Sequence, residues 1–357
     1  WNKHKQSNTP LKRKVFVGMS GGVDSSVAAA LLKERGFAVI GVFLKPWQPE
    51  GVRCLWEQDR ADALRVAAHL GIQFETWDVA EVYGERVGRV MLDAYTRGET
   101  PNPDVLCNQE IKFGIFYDQA RKRGADAVAT GHYARISEKD GALALYAGVD
   151  HNKDQSYFLW TLRSEQLPHI IFPIGDMEKP QVRAQAQRLG LITHDKKDSQ
   201  GVCFIGAFDM HDFLQRHIAT TPGPIVNEDG ARIGTHDGAQ LYTIGQRHGL
   251  ALGGKEAPLY VVAKDITANT LTVGLKANLY VSRIRIVNMH WIGQEQKMPL
   301  LCDVRIRYRA PVTHCTLSQD GECIFAEAQR GVAVGQSAVF YDGDRVLGGG
   351  IIAAVYR

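Results

Sequence analysis

No apolar run in the sequence approaches the roughly 18 residues that a membrane-spanning helix needs. The opening stretch, WNKHKQSNTPLKRK, is polar and basic and contains no apolar segment, so it is not a secretory signal and the expected compartment is the cytoplasm. The six cysteines, at 54, 107, 203, 302, 315 and 323, form no C-x-x-C pair. That spacing argues against a zinc or iron–sulfur site, and the metal expectation is none. In a reducing compartment most of these thiols should be free. Charge is nearly balanced, 42 Lys and Arg against 39 Asp and Glu. A nucleic-acid partner is therefore neither demanded nor excluded, and local clustering has to decide.

A length of 357 residues is too long for one hydrophobic core, so two or three domains are expected. The first half alternates short apolar runs with helical periodicity. KVFVG (14–18), AVIGVFL (38–44), IQFETWDV (72–79) and DAVATGH (126–132) read as strands. Residues 25–36, 57–71, 81–98 and 110–124 read as helices, the third despite two internal glycines. Strands separated by helices of this length imply βαβ units and a parallel sheet, with ligands at the carboxyl ends of the strands. After about residue 205 Gly, Pro and Asp become frequent. A hairpin pattern follows at 259–274, and short alternating strands fill the rest, as in a small antiparallel barrel. The expected plan is a basic tail (1–13), an α/β domain (14–206), a small central domain (207–276) and a C-terminal β-barrel (277–357).

VGMSGGVDSS, Val17 to Ser26, links the first strand to the first helix. Gly21 and Gly22 permit close backbone approach, Ser20, Ser25 and Ser26 add hydroxyls, and the helix start adds partial positive charge, which together suit a phosphate. The lysine of a P-loop is absent, and so is the G-x-G-x-x-G of a dinucleotide site. The stretch resembles the S-G-G-x-D-S signature of the ATP pyrophosphatases, enzymes that cleave ATP between the α- and β-phosphates and adenylate an oxygen.

Two cysteines stand in polar loops beside apolar segments. Cys107 follows TPNPD and precedes NQEIKF, with Asn108 a plausible N-cap, so a helix start could favour its thiolate. Asp104, three residues earlier, is a candidate proton-transfer group. Cys203 lies in KKDSQGVCFIG, with Lys196 and Lys197 expected near phosphates and Gly201 as a hinge. Two loop thiols beside an oxygen-activating loop suggest sulfur transfer. In DVRIRYRA, Arg305, Arg307 and Arg309 alternate, which on a strand makes one basic face suited to phosphates and turns Ile306 and Tyr308 the other way.

Taken together, GMSGGVDSS, TPNPDVLCNQEIKF, ATGHY, NKDQSYFL, FPIGDMEKPQVR, KKDSQGVCFIG, YTIGQRHGL and GQSAVFYDGDRVLGGGII resemble the tRNA 2-thiouridine synthases, the MnmA/TrmU family, from residue 18 to 352. The resemblance implies a pyrophosphate-loop (adenine nucleotide alpha-hydrolase-like) domain, ATP and Mg²⁺, a tRNA with a wobble uridine, and a sulfur-donor protein carrying a persulfide. Gly18, Met19, Ser20, Gly21, Gly22, Val23, Asp24 and Ser25 would bind ATP phosphates, and Leu44 and Gly131 would border the adenosine. Leu44 stands where the family often has Met. Cys203 would carry the persulfide, and Cys107 would close a disulfide with it. Asn102, Pro103 and Asp104 would meet the target base, with His132, Lys153, Asp154, Gln155, Arg307, Tyr308 and Gln336 as further tRNA contacts. A straight strand cannot point Arg307 and Tyr308 the same way, so the resemblance requires a bulge or strand end there. The alternatives are a pyrophosphate-loop ligase or amidase of another substrate, with structural cysteines, and a non-catalytic binding protein.

Overall fold

The computed structural model describes residues 12–49, 56–139, 141–197, 210–250, 252 and 257–356. Cys54, Gly201 and Cys203 lie outside the described residues, as does most of the basic tail. The strands in chain order begin with β1 (Lys14–Gly18), β2 (Ala38–Lys45), β3 (Gln73–Asp78) and β4 (Ala127–Ala129). A hairpin, β5 (Ala134–Lys139) and β6 (Ala142–Ala147), and the short β7 (Ile170–Ile171) follow. β3-β2-β1-β4-β7 is one parallel sheet, with Gly18 level with Val42 and Val17 level with Ala129.

Both faces of that sheet are covered at β1 and β2, which is why these two strands read as apolar runs, whereas the edge strand β3, QFETWD, does not. Val15 and Val17 pack with α1 (Val23–Glu34) and α2 (Trp56–Leu70), and Phe16 packs into a second cluster on the other face. The chain runs outward from β1 to β2 and β3, then returns to place β4 on the other side of β1. The order therefore reverses between β1 and β4, and the crevice beyond their carboxyl ends is where such sheets bind ligands. β4 stops at Ala129, short of the expected 132, and Thr130–His132 turn off the sheet to border that crevice.

Ala80–Tyr83, Gly84–Arg89 and Val90–Thr96 run on as one helix, α3, with a π-helical middle. Its two glycines admit Trp47, since a Cβ on Gly88 would stand 2.6 Å from the indole Cζ3. Pro103–Leu106, Cys107–Phe116 and Tyr117–Lys122 likewise form one helix, α4. α5 spans Lys179–Arg188 and α6 Met210–His217. No helix among the described residues is long and apolar enough to cross a membrane.

A second sheet, β10-β11-β8-β9, uses β8 (Gly223–Val226), β9 (Arg232–His236), β10 (Tyr260–Asp265) and β11 (Thr270–Gly274). The C-terminal strands are β12 (Tyr280–Trp291), β13 (Leu300–Arg305), β14 (Thr313–Leu317), β15 (Glu322–Arg330), β16 (Ser337–Asp342) and β17 (Arg345–Tyr356). They pair antiparallel as β12-β15-β14-β13-β16-β17, and β12 also pairs with β17, which closes a six-stranded barrel. The β5–β6 hairpin of the α/β half joins this barrel beside β17, through Arg345 and Tyr146.

The arginine stripe is not present. β13 ends at Arg305, so Arg307 and Arg309 lie past the strand, and Arg309 adopts a positive φ of 60°. Arg305 turns inward, where Asp154 accepts from its Nη1 at 2.8 Å and Tyr341 lies under its guanidinium. Alternation identified a shared face but could not reveal that a carboxylate 151 residues away claims one member. The strand end is also what frees Arg307 and Tyr308 from opposite faces.

Candidate active site

Gly18–Ser25 wrap the end of β1 at the reversal point. The Ser20 amide donates to Ser25 Oγ at 3.1 Å, and the Ser26 hydroxyl donates to the Gly22 carbonyl at 2.7 Å. Gly21 has φ +74°, and a Cβ there would fall 2.2 Å from the Asp59 carbonyl oxygen. Only glycine fits on both counts. Gly22 is the extended N-cap of α1 and supplies no side-chain acceptor, so the first-turn amides keep their capacity for an anion. Gly131 closes the crevice from β4, where a Cβ would stand 2.6 Å from the Ser25 amide nitrogen. Met19 and Leu44 are buried at the ends of β1 and β2, and the Met19 amide donates to Val42 O at 2.8 Å. An uncapped helix start with a glycine-lined cradle fits the phosphates of a nucleotide.

Asp24 points from the first turn of α1 and is fully engaged. Lys179 Nζ, buried at the start of α5, donates to both carboxylate oxygens at 2.9 Å, and Tyr133 OH donates to Oδ1 at 2.8 Å. Sequence reading missed Lys179 and Tyr133. Both lie in quoted stretches, FPIGDMEKPQVR and ATGHY, but only the fold shows which carboxylate they serve. Lys196, expected near phosphates, donates to the Gly21 carbonyl (3.1 Å), Asp59 (2.8 Å) and Asp62 (2.7 Å). Burial opposes its charge, but the two carboxylates outweigh that and raise its pKa. It braces the loop from the carbonyl side.

α4 carries the second group, and its start differs from the expectation. Asn102, not Asn108, is the N-cap, with Oδ1 accepting from the amides of Asp104 (3.1 Å) and Val105 (3.2 Å) and Pro103 opening the first turn. Cys107 is therefore inside the helix and fully buried, so the helix-start argument for its thiolate fails. Proline at the first helical position was the discriminating signal. Asn108 is buried, its Nδ2 donates to the Asp104 carbonyl at 2.9 Å, and its Oδ1 has no partner among the described residues. Asp104 and Asn102 are half-buried.

The barrel holds the approach to α4. Gln336 Nε2 donates to the carbonyls of Thr100 (2.7 Å) and Pro101 (3.2 Å), and the Thr100 amide donates to Val334 O at 2.8 Å. Tyr157 OH donates to Ser337 O at 2.9 Å and lies beside Asn102 and Arg307, its pKa pushed up by burial. Asn102 is thus tied to the barrel through Tyr157, with the Arg307 charge near enough to act on the same hydroxyl. Arg307 is exposed, and Tyr308 packs on Phe158 with ring centroids 4.5 Å apart.

Of the other RNA-contact candidates, Lys153 and Gln155 are partly exposed, while His132, Asp154 and Gln336 are buried. His132 bonds Thr130 Oγ1 at 2.6 Å and faces Lys112 Nζ at 3.4 Å. Burial, with Lys112 adding to it, holds its pKa well below the usual value, so the ring is neutral. Asp154 accepts from Arg305 and from the amides of Gly148 and Ser156.

Three family models divide the chain. One described as a tRNA methyl transferase HUP domain matches residues 13–207, a tRNA methyl transferase PRC-barrel domain matches 211–275, and an aminomethyltransferase beta-barrel domain matches 281–352. A protein of Halalkalibacterium halodurans named tRNA-specific 2-thiouridylase MnmA is 45% identical, covering 99% of this chain and 98% of its own. Proteins of the same name from Burkholderia multivorans and Pseudomonas aeruginosa are each 46% identical, covering 96% of this chain and 93% and 95% of their own. The chain belongs to the MnmA family of tRNA-specific 2-thiouridylases.

Proposed function

We propose that this protein is an ATP-dependent tRNA sulfurtransferase that replaces the C2 oxygen of the wobble uridine with sulfur. The observation that carries the reading is the anion cradle at the sheet's reversal point, with Gly131 against the Ser25 amide and an uncapped α1 start, in a chain 45% identical to a named 2-thiouridylase. The α1 amides and Ser20 and Ser25 hold the ATP phosphates, and Met19, Leu44 and Gly131 border the nucleoside. Asp24 is the residue that would hold Mg²⁺ if Lys179 turned from it to the phosphates, and the ion would supply neutralisation of charge on the leaving pyrophosphate.

The target base leaves the anticodon stack, as base-modifying enzymes require. Its C2 oxygen attacks the α-phosphorus and pyrophosphate departs. The terminal sulfur of a Cys203 persulfide, supplied by a donor protein, attacks C2, and AMP departs. Cys107 thiolate attacks Cys203 Sγ, breaking the S–S bond, so the sulfur stays on the base and a Cys107–Cys203 disulfide remains. A dithiol reductant reopens it. Asp104, whose backbone is fixed by Asn102 and Asn108, takes the Cys107 thiol proton as the disulfide forms and gives it back when the reductant reopens the bond. Lys153, Gln155, Arg307 and Tyr308 face the RNA, while His132, Asp154 and Gln336 act from beneath the surface.

Mass spectrometry of nucleosides after incubating the chain with ATP, Mg²⁺, unmodified tRNA and a persulfide donor tests the reading. The expected products are 2-thiouridine, AMP and pyrophosphate, with no 2-thiouridine from Cys203→Ser. Absence of 2-thiouridine with tRNA, ATP and the loaded donor all present would overturn it.

A further inference from the structure

Asp24 is bound to the loop at 148–156 by two separate routes. In the first, Asp150 Oδ1 accepts from the amides of Asn152 (3.0 Å) and Lys153 (3.2 Å), and its Oδ2 accepts from the Lys179 amide at 2.9 Å. The Lys179 ammonium then spans both oxygens of Asp24. In the second, Gln155 and Tyr133 exchange hydrogen bonds, Tyr133 N to Gln155 Oε1 at 3.1 Å and Gln155 N to Tyr133 O at 2.9 Å. The Tyr133 hydroxyl then reaches Asp24 Oδ1. The same loop is tied to the barrel from its other side, through Asp154 and Arg305.

We propose that Lys179 and Tyr133 are positioning residues that make use of ATP conditional on RNA bound at the Asp150–Gln155 loop. The inference rests on the sulfurtransferase reading for the identity of the two ligands. An ammonium covers both oxygens that a divalent cation would take, so a cation can reach Asp24 only when Lys179 leaves it. A backbone phosphate drawn to Lys153 displaces the segment whose amides Asp150 holds, and Asp150 in turn fixes the start of α5, from which Lys179 projects. Movement of that start withdraws the ammonium from Asp24. One charged side chain thus has two alternative partners, the carboxylate at rest and the phosphates when RNA is engaged. The coupling is reciprocal, so ATP tightens RNA binding by the same factor. Such couplings are of order 5- to 150-fold. The arrangement protects ATP from hydrolysis when no RNA is present.

The test uses the full chain with Asp150→Ala and Tyr133→Phe, each of which breaks one route while leaving Lys179 and the glycine loop intact. Calorimetry gives the Kd for Mg·ATP with and without tRNA, and AMP release is measured in the same two conditions. In the wild type, tRNA should tighten ATP binding and raise AMP release by about tenfold or more. In each variant both ratios should fall toward one, because RNA no longer moves Lys179. Lys179→Arg, which keeps the charge, should retain part of the effect. Unchanged ratios in both variants overturn the proposal, and so does equal loss of the RNA-free and RNA-bound values. A wild type that binds ATP with RNA dependence yet makes no 2-thiouridine would instead refute the sulfurtransferase reading and leave the relay standing.

Discussion

Buried charges show most directly what single side chains do here, because each must be paired or pay for desolvation. Arg305 and Asp154 pair in the interior, and Lys179 pairs with Asp24. Lys264 is different. It borders a cavity of about 490 Å³ between the central sheet, the barrel and the Arg97–Thr100 segment, and its Nζ donates to the Tyr242 carbonyl at 2.7 Å. Burial pulls its pKa down to about 8 from 10.5, with Glu99 opposing. Between those values the unfolded chain binds more protons than the folded one, so this residue's contribution to stability rises as pH climbs from 8 toward 10.5. Relative to Lys264→Met, the wild type should gain on the order of 1–3 kcal/mol between pH 7 and pH 10. Urea unfolding of both proteins at the two pH values measures it, and a constant gap would show that the ammonium is well solvated.

At the scale of elements, α3 contains two glycines where helix propensity would favour alanine. Trp47 lies against that face, stacks on Tyr83 and meets Phe213 of α6 edge-on, linking the α/β core to the central unit. Gly88→Ala would gain about 1 kcal/mol in propensity. It would also press a methyl to 2.6 Å from a half-buried indole, where overpacking costs about 1–3 kcal/mol. Net destabilisation of about 1 kcal/mol is expected in urea midpoint and extrapolated stability, and a more stable variant would mean that the ring can move aside. The helix itself was legible from its periodicity, but the reason for its glycines was not, since Trp47 is more than thirty residues upstream. The same divide runs through the site. Gly18–Ser25 announced itself because strand, loop and helix are contiguous, and local rules suffice. Lys179 is 155 residues from Asp24, and nothing in FPIGDMEKPQVR says which acid its ammonium meets. The β5–β6 hairpin was overlooked although its alternating residues flank Asp140–Gly141, a turn signal.

For the whole molecule, the decisive feature is that the loop feeding α4 is held by parts of all three units. Thr100 Oγ1 donates to Thr243 Oγ1 at 3.4 Å, Ile266 packs where a Cβ on Gly98 would stand, and the barrel supplies Val334 O and Gln336. A residue that touches RNA and a residue that shapes the loop meeting the base give different kinetic signatures. Gln336 is only 9% exposed and spends its amide on Thr100 and Pro101, the two residues that precede Asn102 and the start of α4. Gln336→Ala leaves two buried carbonyls without that donor, which costs about 1–3 kcal/mol if no water replaces it. The loss falls on the geometry of Asn102–Asp104. Single-turnover thiolation should therefore slow by about tenfold or more, since misplacement of reacting groups by about 1 Å can cost 10²-fold. The Kd for tRNA should move by less than about threefold, because removing a rim contact, not a buried brace, is what weakens binding while sparing the chemical step. Filter binding and single-turnover rates on the same preparation separate the two. A large rise in Kd with an unchanged rate would assign Gln336 to the RNA surface and require the barrel to open there when RNA binds.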